Sequence, residues 1–230
     1  MSRRAFLASA ALGCLLATGA EAAGPTDTLR ATFAQANTII NDPATEDRPL
    51  ERLVAIRALF AKVFDFRGAA EQVLGPEWKT RSSVEQREFT SIFSGFVQRG
   101  FVYWLASVAE VDTNGGGITV HYLGESVERD RAAVRTALVG RGGRQIRLDH
   151  WMVQQGNRWM VRDITIDGVS LLTNYRAQFD RVIRASSYRD LVARMQERTG
   201  SELPRPAAAG AELLGSEPKL PISLYLYEMR

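Results

Sequence analysis

One cysteine and two histidines in 230 residues leave little of the chemistry that marks a catalyst or a metal site. The cysteine, Cys14, lies inside an N-terminal apolar segment, so no disulfide can brace the rest of the chain and no thiolate nucleophile is available to it. The sequence contains no G-x-S-x-G, no H-E-x-x-H and no phosphate-binding glycine loop. Neither a cofactor nor a metal is therefore expected. A surplus of one charge is missing too: 29 Lys and Arg stand against 26 Asp and Glu. A dedicated nucleic-acid binder needs a concentrated basic face, and this balance argues against one. Beyond residue 22 no apolar run reaches the 18 or more residues of a membrane-spanning helix. About 200 residues must hold together through their core alone, which one domain of that size can do.

What the first residues do contain is an export signal. Arg3 and Arg4 supply the positive start, residues 5–18 a small apolar stretch, and Ala20-Glu21-Ala22 an A-x-A cleavage site. Removal of residues 1–22 takes away Arg3, Arg4 and Glu21, leaving 27 basic and 25 acidic residues, a net charge of +2. The expected location is periplasmic. Ser2 to Leu7 also reads as a twin-arginine signal, with Ala8 where a Lys is usual, so the export route stays open. Cleavage before Cys14 as a lipoprotein is the alternative, although Ala11-Leu12-Gly13 lacks the usual Leu three residues ahead.

The order of elements predicts an α+β fold. Helical spacing of apolar residues runs over 28–41, where Pro43 closes it, from 49 through Val63 and Phe64, and over 66–74 ahead of Gly75-Pro76. Ser83 with Gln86 reads as a capping box opening a longer helix that carries Phe89, Phe93, Phe96, Val97, Phe101, Trp104 and Leu105. The period then changes to two. Strands are expected at 118–123, 131–139, 145–153 and 158–166, with turns at 114–117, 140–143 and 154–157, so an antiparallel meander is the simplest topology. Helices return over 170–184, with Leu172, Tyr175 and Phe179 on one stripe, and again after a second capping box at Ser187 and Asp190. The expected division is a signal over 1–22, one domain over 23–199, and a Pro/Ala/Gly-rich extension over 200–230 with a short apolar, aromatic end.

Such apolar stripes are by themselves what any α+β core requires. The later strands nonetheless read as apolar on two faces, Trp159 and Val161 on one, Met160, Ile164 and Ile166 on the other, which calls for cover on both sides or for a ligand. An alternative is a small-molecule enzyme working through His121 or His150. Asp149 is adjacent to His150 and points to the opposite strand face, so those two cannot form a dyad with each other.

The stretch from Trp159 to Arg198 decides between these readings. Trp159, Asp163, Gly168-Val169-Ser170-Leu171, Asn174-Tyr175-Arg176 and Phe179, with Leu74-Gly75, Trp78 and Gln86-Arg87-Glu88-Phe89 earlier, resemble the signature of the MlaC family of periplasmic phospholipid-binding proteins. The resemblance spans about 28–198. The Leu148-Asp149-His150-Trp151 strand, where relatives often carry a Tyr, departs from it, as does the chain beyond Gly200.

The resemblance implies a non-catalytic carrier: N- and C-terminal helices on a curved, mainly antiparallel sheet, enclosing an apolar cavity for phospholipid or a related lipid. It implies two partners, an inner-membrane MCE-domain ABC transporter and an outer-membrane lipoprotein–porin complex. Under it, the residues expected to line the cavity are Phe60, Phe64, Phe93, Phe96, Val97, Phe101, Trp104, Leu105, Val120, Tyr122, Leu148, Met160, Ile164, Leu172, Tyr175 and Phe179. Gly168, Ser170 and Asp163 read as architectural, Asp163 pairing with Arg176 or bonding turn amides. Arg176 and Arg181 face away from the stripe, toward a phosphate, a partner or solvent.

Overall fold

A computed structural model describes residues 23–108, 119–139 and 145–200. The proposed signal, the 114–117 and 140–143 turns, Ile118 and the extension from 201 onward lie outside the described residues. The described elements run in the order α1 (Pro25–Ile40), α2 (Pro49–Val63), α3 (Phe66–Leu74), α4 (Pro76–Thr80), α5 (Ser83–Val108), β1 (Thr119–Glu128), β2 (Arg131–Val139), β3 (Gln145–Gln155), β4 (Arg158–Ile166), β5 (Val169–Ser170), α6 (Leu171–Ala185) and α7 (Tyr188–Gly200).

Helix starts follow local chemistry. Proline opens α1, α2 and α4, where its missing N–H costs nothing. Asp65 caps α3 by accepting from the Gly68 amide at 3.0 Å. The box in front of α5 is Ser82 with Glu85, one residue earlier than the sequence pattern suggests. Ser82 N donates to Glu85 Oε2 at 2.8 Å, and Glu85 N donates to Ser82 Oγ at 3.3 Å. Gln86 is otherwise engaged: its amide donates to the Trp78 and Arg81 carbonyls, satisfying the end of α4, a helix too short to show in apolar spacing. Asp190 N donates to Ser187 Oγ at 3.1 Å as expected, while the Asp190 carboxylate accepts from Ser186.

The five strands form one open sheet in sequence order, antiparallel at every pairing. The inner face is built in rows across the strands: Val120 with Leu138 and Ile146; Tyr122 with Thr136, Leu148 and Ile166; Val134 with His150 and Ile164; Ala132 with Met152 and Val161. A bulge corrects the two-faced reading of β4. The register shifts between Trp151 and Met152, leaving Arg162 as the extra residue on β4, so Ile164 and Ile166 rejoin the face of Trp159 and Val161. All four are buried, at 3–7% exposure. Met160 alone stays on the opposite face, beside Val153, and is only half-buried. That outer face leaves Trp151 half exposed, its indole N–H donating to Thr165 Oγ1 at 2.9 Å.

Cover for the inner face comes from α1 over β1 and β2, and from α2, α3 and α6 over β4. The helix α5 packs on α2, α3 and α7, forming with α7 an outer helical layer. The edge of β4 is closed by the α2–α3 junction. Asp65 N donates to Val161 O at 2.7 Å, Arg158 donates to Lys62 O at 2.8 Å, and the Arg162 guanidinium pairs with the Asp65 carboxylate. A chain segment packed along a sheet edge hinders the pairing of another strand there.

Candidate functional site

Asp163 is the most connected polar group of the family-like stretch, and its work is structural. Its Oδ1 accepts from the amides of Ile164 (2.8 Å) and Leu172 (3.1 Å), and its Oδ2 from the Ser170 hydroxyl at 2.5 Å. It thereby ties the β4 bulge to the first turn of α6, and Arg176 is not among its partners. Burial pushes the Asp163 carboxyl above its ordinary range, opposed by these hydrogen bonds. Ser170 caps α6 by accepting from Thr173 N at 3.0 Å. Asp167 and Gly168, with φ of 46° and 89°, make the tight β4–β5 turn, which requires left-handed backbone at both positions. Arg176 is exposed on α6, its guanidinium lying over Gly75; a Cβ there would meet it at 2.9 Å.

The two histidines lie on opposite faces. His121 is exposed on β1. His150 is 4% exposed on the inner face, its Nε2 3.1 Å from Thr136 Oγ1 and its ring edge-on to Phe33 of α1 at 5.9 Å. Burial lowers its pKa from 6.5 to about 4, so the imidazole is neutral at neutral pH. Such a ring is packed between α1 and the sheet instead of being presented to a substrate. Among the described residues no group of three or more His, Cys, Asp and Glu is placed to hold a metal.

The apolar candidates fall into several neighbourhoods. Phe93, Phe96, Val97, Leu172, Tyr175 and Phe179 come together between α5 and α6, all at 0–3% exposure, with edge-to-face contacts linking Phe93, Tyr175 and Phe179. Phe60 stacks on Phe101 at 4.4 Å and sits beside Phe64, near the end of α2. Leu148 and Ile164 belong to the buried sheet face. Val120 and Tyr122 occupy its β1 margin and are half-buried, as are Phe33 and Ile146 nearby on the core's border. Met160 stands apart from all of these on the outer face. Trp104 and Leu105 lie on the backbone of α5, and their side chains are outside the described residues.

Sequence reasoning passed over Phe33 and Arg30. Phe33 is visible in the α1 stripe, but its closeness to His150 depends on how α1 crosses the sheet. Arg30 lies with its guanidinium carbon 4.1 Å from the Tyr122 ring centroid, a contact between residues 92 positions apart that leaves no local pattern. A separate groove of about 870 Å³ runs between α4, α5 and the α6–α7 turn. Glu77, Arg81, Glu85, Glu88 and Arg189 line it together with Phe89, Ile92, Ile183, Tyr188 and Val192. That much charge suits a polar surface better than an acyl chain.

An open antiparallel meander with helices on one face and an apolar interior between them defines an α+β protein. The sequence matches the MlaC protein family over residues 30–197, and the chain belongs to that family. Its fold is similar to that of the phospholipid-binding protein from Ralstonia solanacearum, solved in complex with a phospholipid. The TM-score is 0.63 at 22% identity, over 75% of this chain and 94% of that one. No curated protein matches the sequence. No helix among the described residues is long and apolar enough to cross a membrane.

Proposed function

We propose that the protein is a periplasmic, non-catalytic carrier of phospholipid or a related apolar lipid. Family membership over residues 30–197 carries this reading. The half-buried margin of the sheet supports it physically. Val120, Tyr122, Phe33 and Ile146 leave apolar surface uncovered beside buried Leu138, so added methylenes gain contact there without displacing core. Each methylene taken from water is worth about 0.8 kcal/mol, a gain that membranes at either end of the journey also offer. The carrier therefore has only to match a bilayer, and diffuse apolar contacts suffice. Of the expected lining residues, Phe101, Val120 and Tyr122 have surface to offer directly. Phe93, Phe96, Val97, Leu172, Tyr175 and Phe179 form a packed wall that a chain would meet only if α5 and α6 part.

In this reading cargo is exchanged with an inner-membrane MCE-domain ABC transporter and an outer-membrane lipoprotein–porin complex, after cleavage of the export signal near Ala22. Exposed Arg176 and Arg181 belong to the docking surface, where contacts between solvated charges are weak and salt-sensitive. The test is native mass spectrometry of protein purified from the periplasm. The expected result is a mature mass with one or more lipids bound, and lipid occupancy cut severalfold by Val120→Trp with cooperative unfolding retained. Lipid-free protein that stays empty after incubation with phospholipid vesicles would overturn the proposal.

A further inference from the structure

We infer that Arg30 is the anchor for the cargo's phosphate, held in place by the face of Tyr122; this rests on the carrier reading above. The guanidinium lies 4.1 Å from the ring centroid, so one flat side is covered by the aromatic face. Arg30 itself is exposed on α1. Among the described residues Arg30 forms no ion pair and no side-chain hydrogen bond, the Tyr122 contact being its partner. Glu125 on β1 is engaged elsewhere on α1, accepting from Thr26 N at 2.8 Å and from Thr26 Oγ1 at 2.6 Å. Among the described residues Asp27, one turn before Arg30 on α1, makes no ion pair with it.

Position turns a spare charge into a site. Tyr122 and Val120 alternate onto the same strand face roughly 7 Å apart, and Val120 opens the row that continues through Leu138 and Ile146. A fixed cation thus stands at the border of the uncovered apolar row, the arrangement that a phosphate joined to acyl chains requires. Arginine's planar fork suits a phosphate through two parallel hydrogen bonds, and stacking removes much of the freedom it would otherwise lose on binding. A dipolar or anionic glycerophospholipid fits this pairing, whereas a diacylglycerol with the same tails has nothing to offer Arg30.

The test uses the mature full chain incubated with vesicles of phosphatidylcholine carrying either phosphatidylglycerol or diacylglycerol of matched chains, with occupancy read by native mass spectrometry. Arg30→Gln should lower phospholipid occupancy by about three- to tenfold, the range for one partly exposed charge-assisted bond, and leave diacylglycerol uptake unchanged. Arg30→Lys should recover part of the loss, and Tyr122→Leu, which keeps the apolar surface, should show a smaller loss in the same direction. Unchanged phospholipid occupancy in Arg30→Gln overturns the inference. Equal loss of both lipids also overturns it, because Arg30 would then serve only to pack on Tyr122. Saturable binding of tail-free glycerophosphate as strong as that of the lipid would make this a site for small phosphates. Wild type that takes up neither lipid removes the carrier reading, and the anchor with it.

Discussion

Two regions of the apolar interior differ in how completely they are filled. Around α5 and α6, Phe89, Phe93 and Phe179 are at 0% exposure, with Leu172 at 1% and Tyr175 at 3%. At the β1 margin Val120, Tyr122, Phe33 and Ile146 are apolar yet only partly buried. The first region is closed by side chains meeting side chains, its aromatic rings joined by both edge-to-face and stacked contacts. The second is a sheet end that α1 covers only in part. Capacity for a ligand resides in what packing leaves unfinished, while stability resides in what it completes.

Breaking the filled region should produce the largest effect. Phe179→Ala removes a ring in contact with Phe89, Phe93 and Tyr175, and is expected to cost about 3–5 kcal/mol in denaturant unfolding. Ile146→Ala at the margin should cost less, about 1 kcal/mol, since its side chain is only partly buried. Similar losses from the two substitutions would show that the regions are equally packed, and the division between wall and cargo surface would fail.

His150 sharpens the border between them, because it joins the sheet's inner face to Phe33 of α1. Its folded pKa, about 4, lies below the unfolded value of 6.5. Between those limits the unfolded chain binds the proton more readily, so the contribution is complete above pH 6.5 and is lost as pH falls toward 4. The loss is at most about 3 kcal/mol. Asp163, whose carboxyl is pushed up by burial, works in the opposite direction: a raised folded pKa favours the native state as acid protonates it. Comparing wild type with His150→Gln at pH 4.5, 5.5 and 7 isolates the imidazole, because Asp163 is common to both. The expected result is a shallower decline in the variant. Parallel declines would mean that the ring is not buried in its neutral form.

Much of this organisation was legible in the sequence, for reasons that are local. Proline, glycine and period-two alternation placed α2, α3, β2 and β4 at their observed limits, because each is bounded by residues with strong backbone preferences. The Trp159–Arg198 stretch carried the family likeness, and Asp163, Gly168 and Ser170 are the turn that joins β4 to α6. What escaped was the bulge at Arg162. Alternation counts residues, and a single unpaired residue reverses the face of everything beyond it, so Ile164 and Ile166 read as a second apolar side when they complete the first. Arg30 with Tyr122, and Arg162 with Asp65, escaped for another reason. Each joins α-helical and β-strand segments more than ninety residues apart, and periodicity holds no information at that range.

The smallest effect tests whether α5, which starts among the filled wall and runs on past Phe101, transmits anything between the regions. Ser82 caps its first turn, exchanging hydrogen bonds with Glu85, and Ser82→Ala should lower stability by about 1 kcal/mol. Burial is unaffected there, so the loss should appear as faster amide exchange in the first turn of α5 and a modestly earlier unfolding midpoint. Lipid occupancy should stay at the wild-type level, because the cap lies far along the helix from Phe101 and touches no apolar group at the β1 margin. If occupancy falls in proportion to the lost stability, the wall and the cargo surface form a single cooperative unit. Exchange confined to the first turn, with occupancy intact, would instead show that the β1 margin is fixed by α1 and the sheet alone.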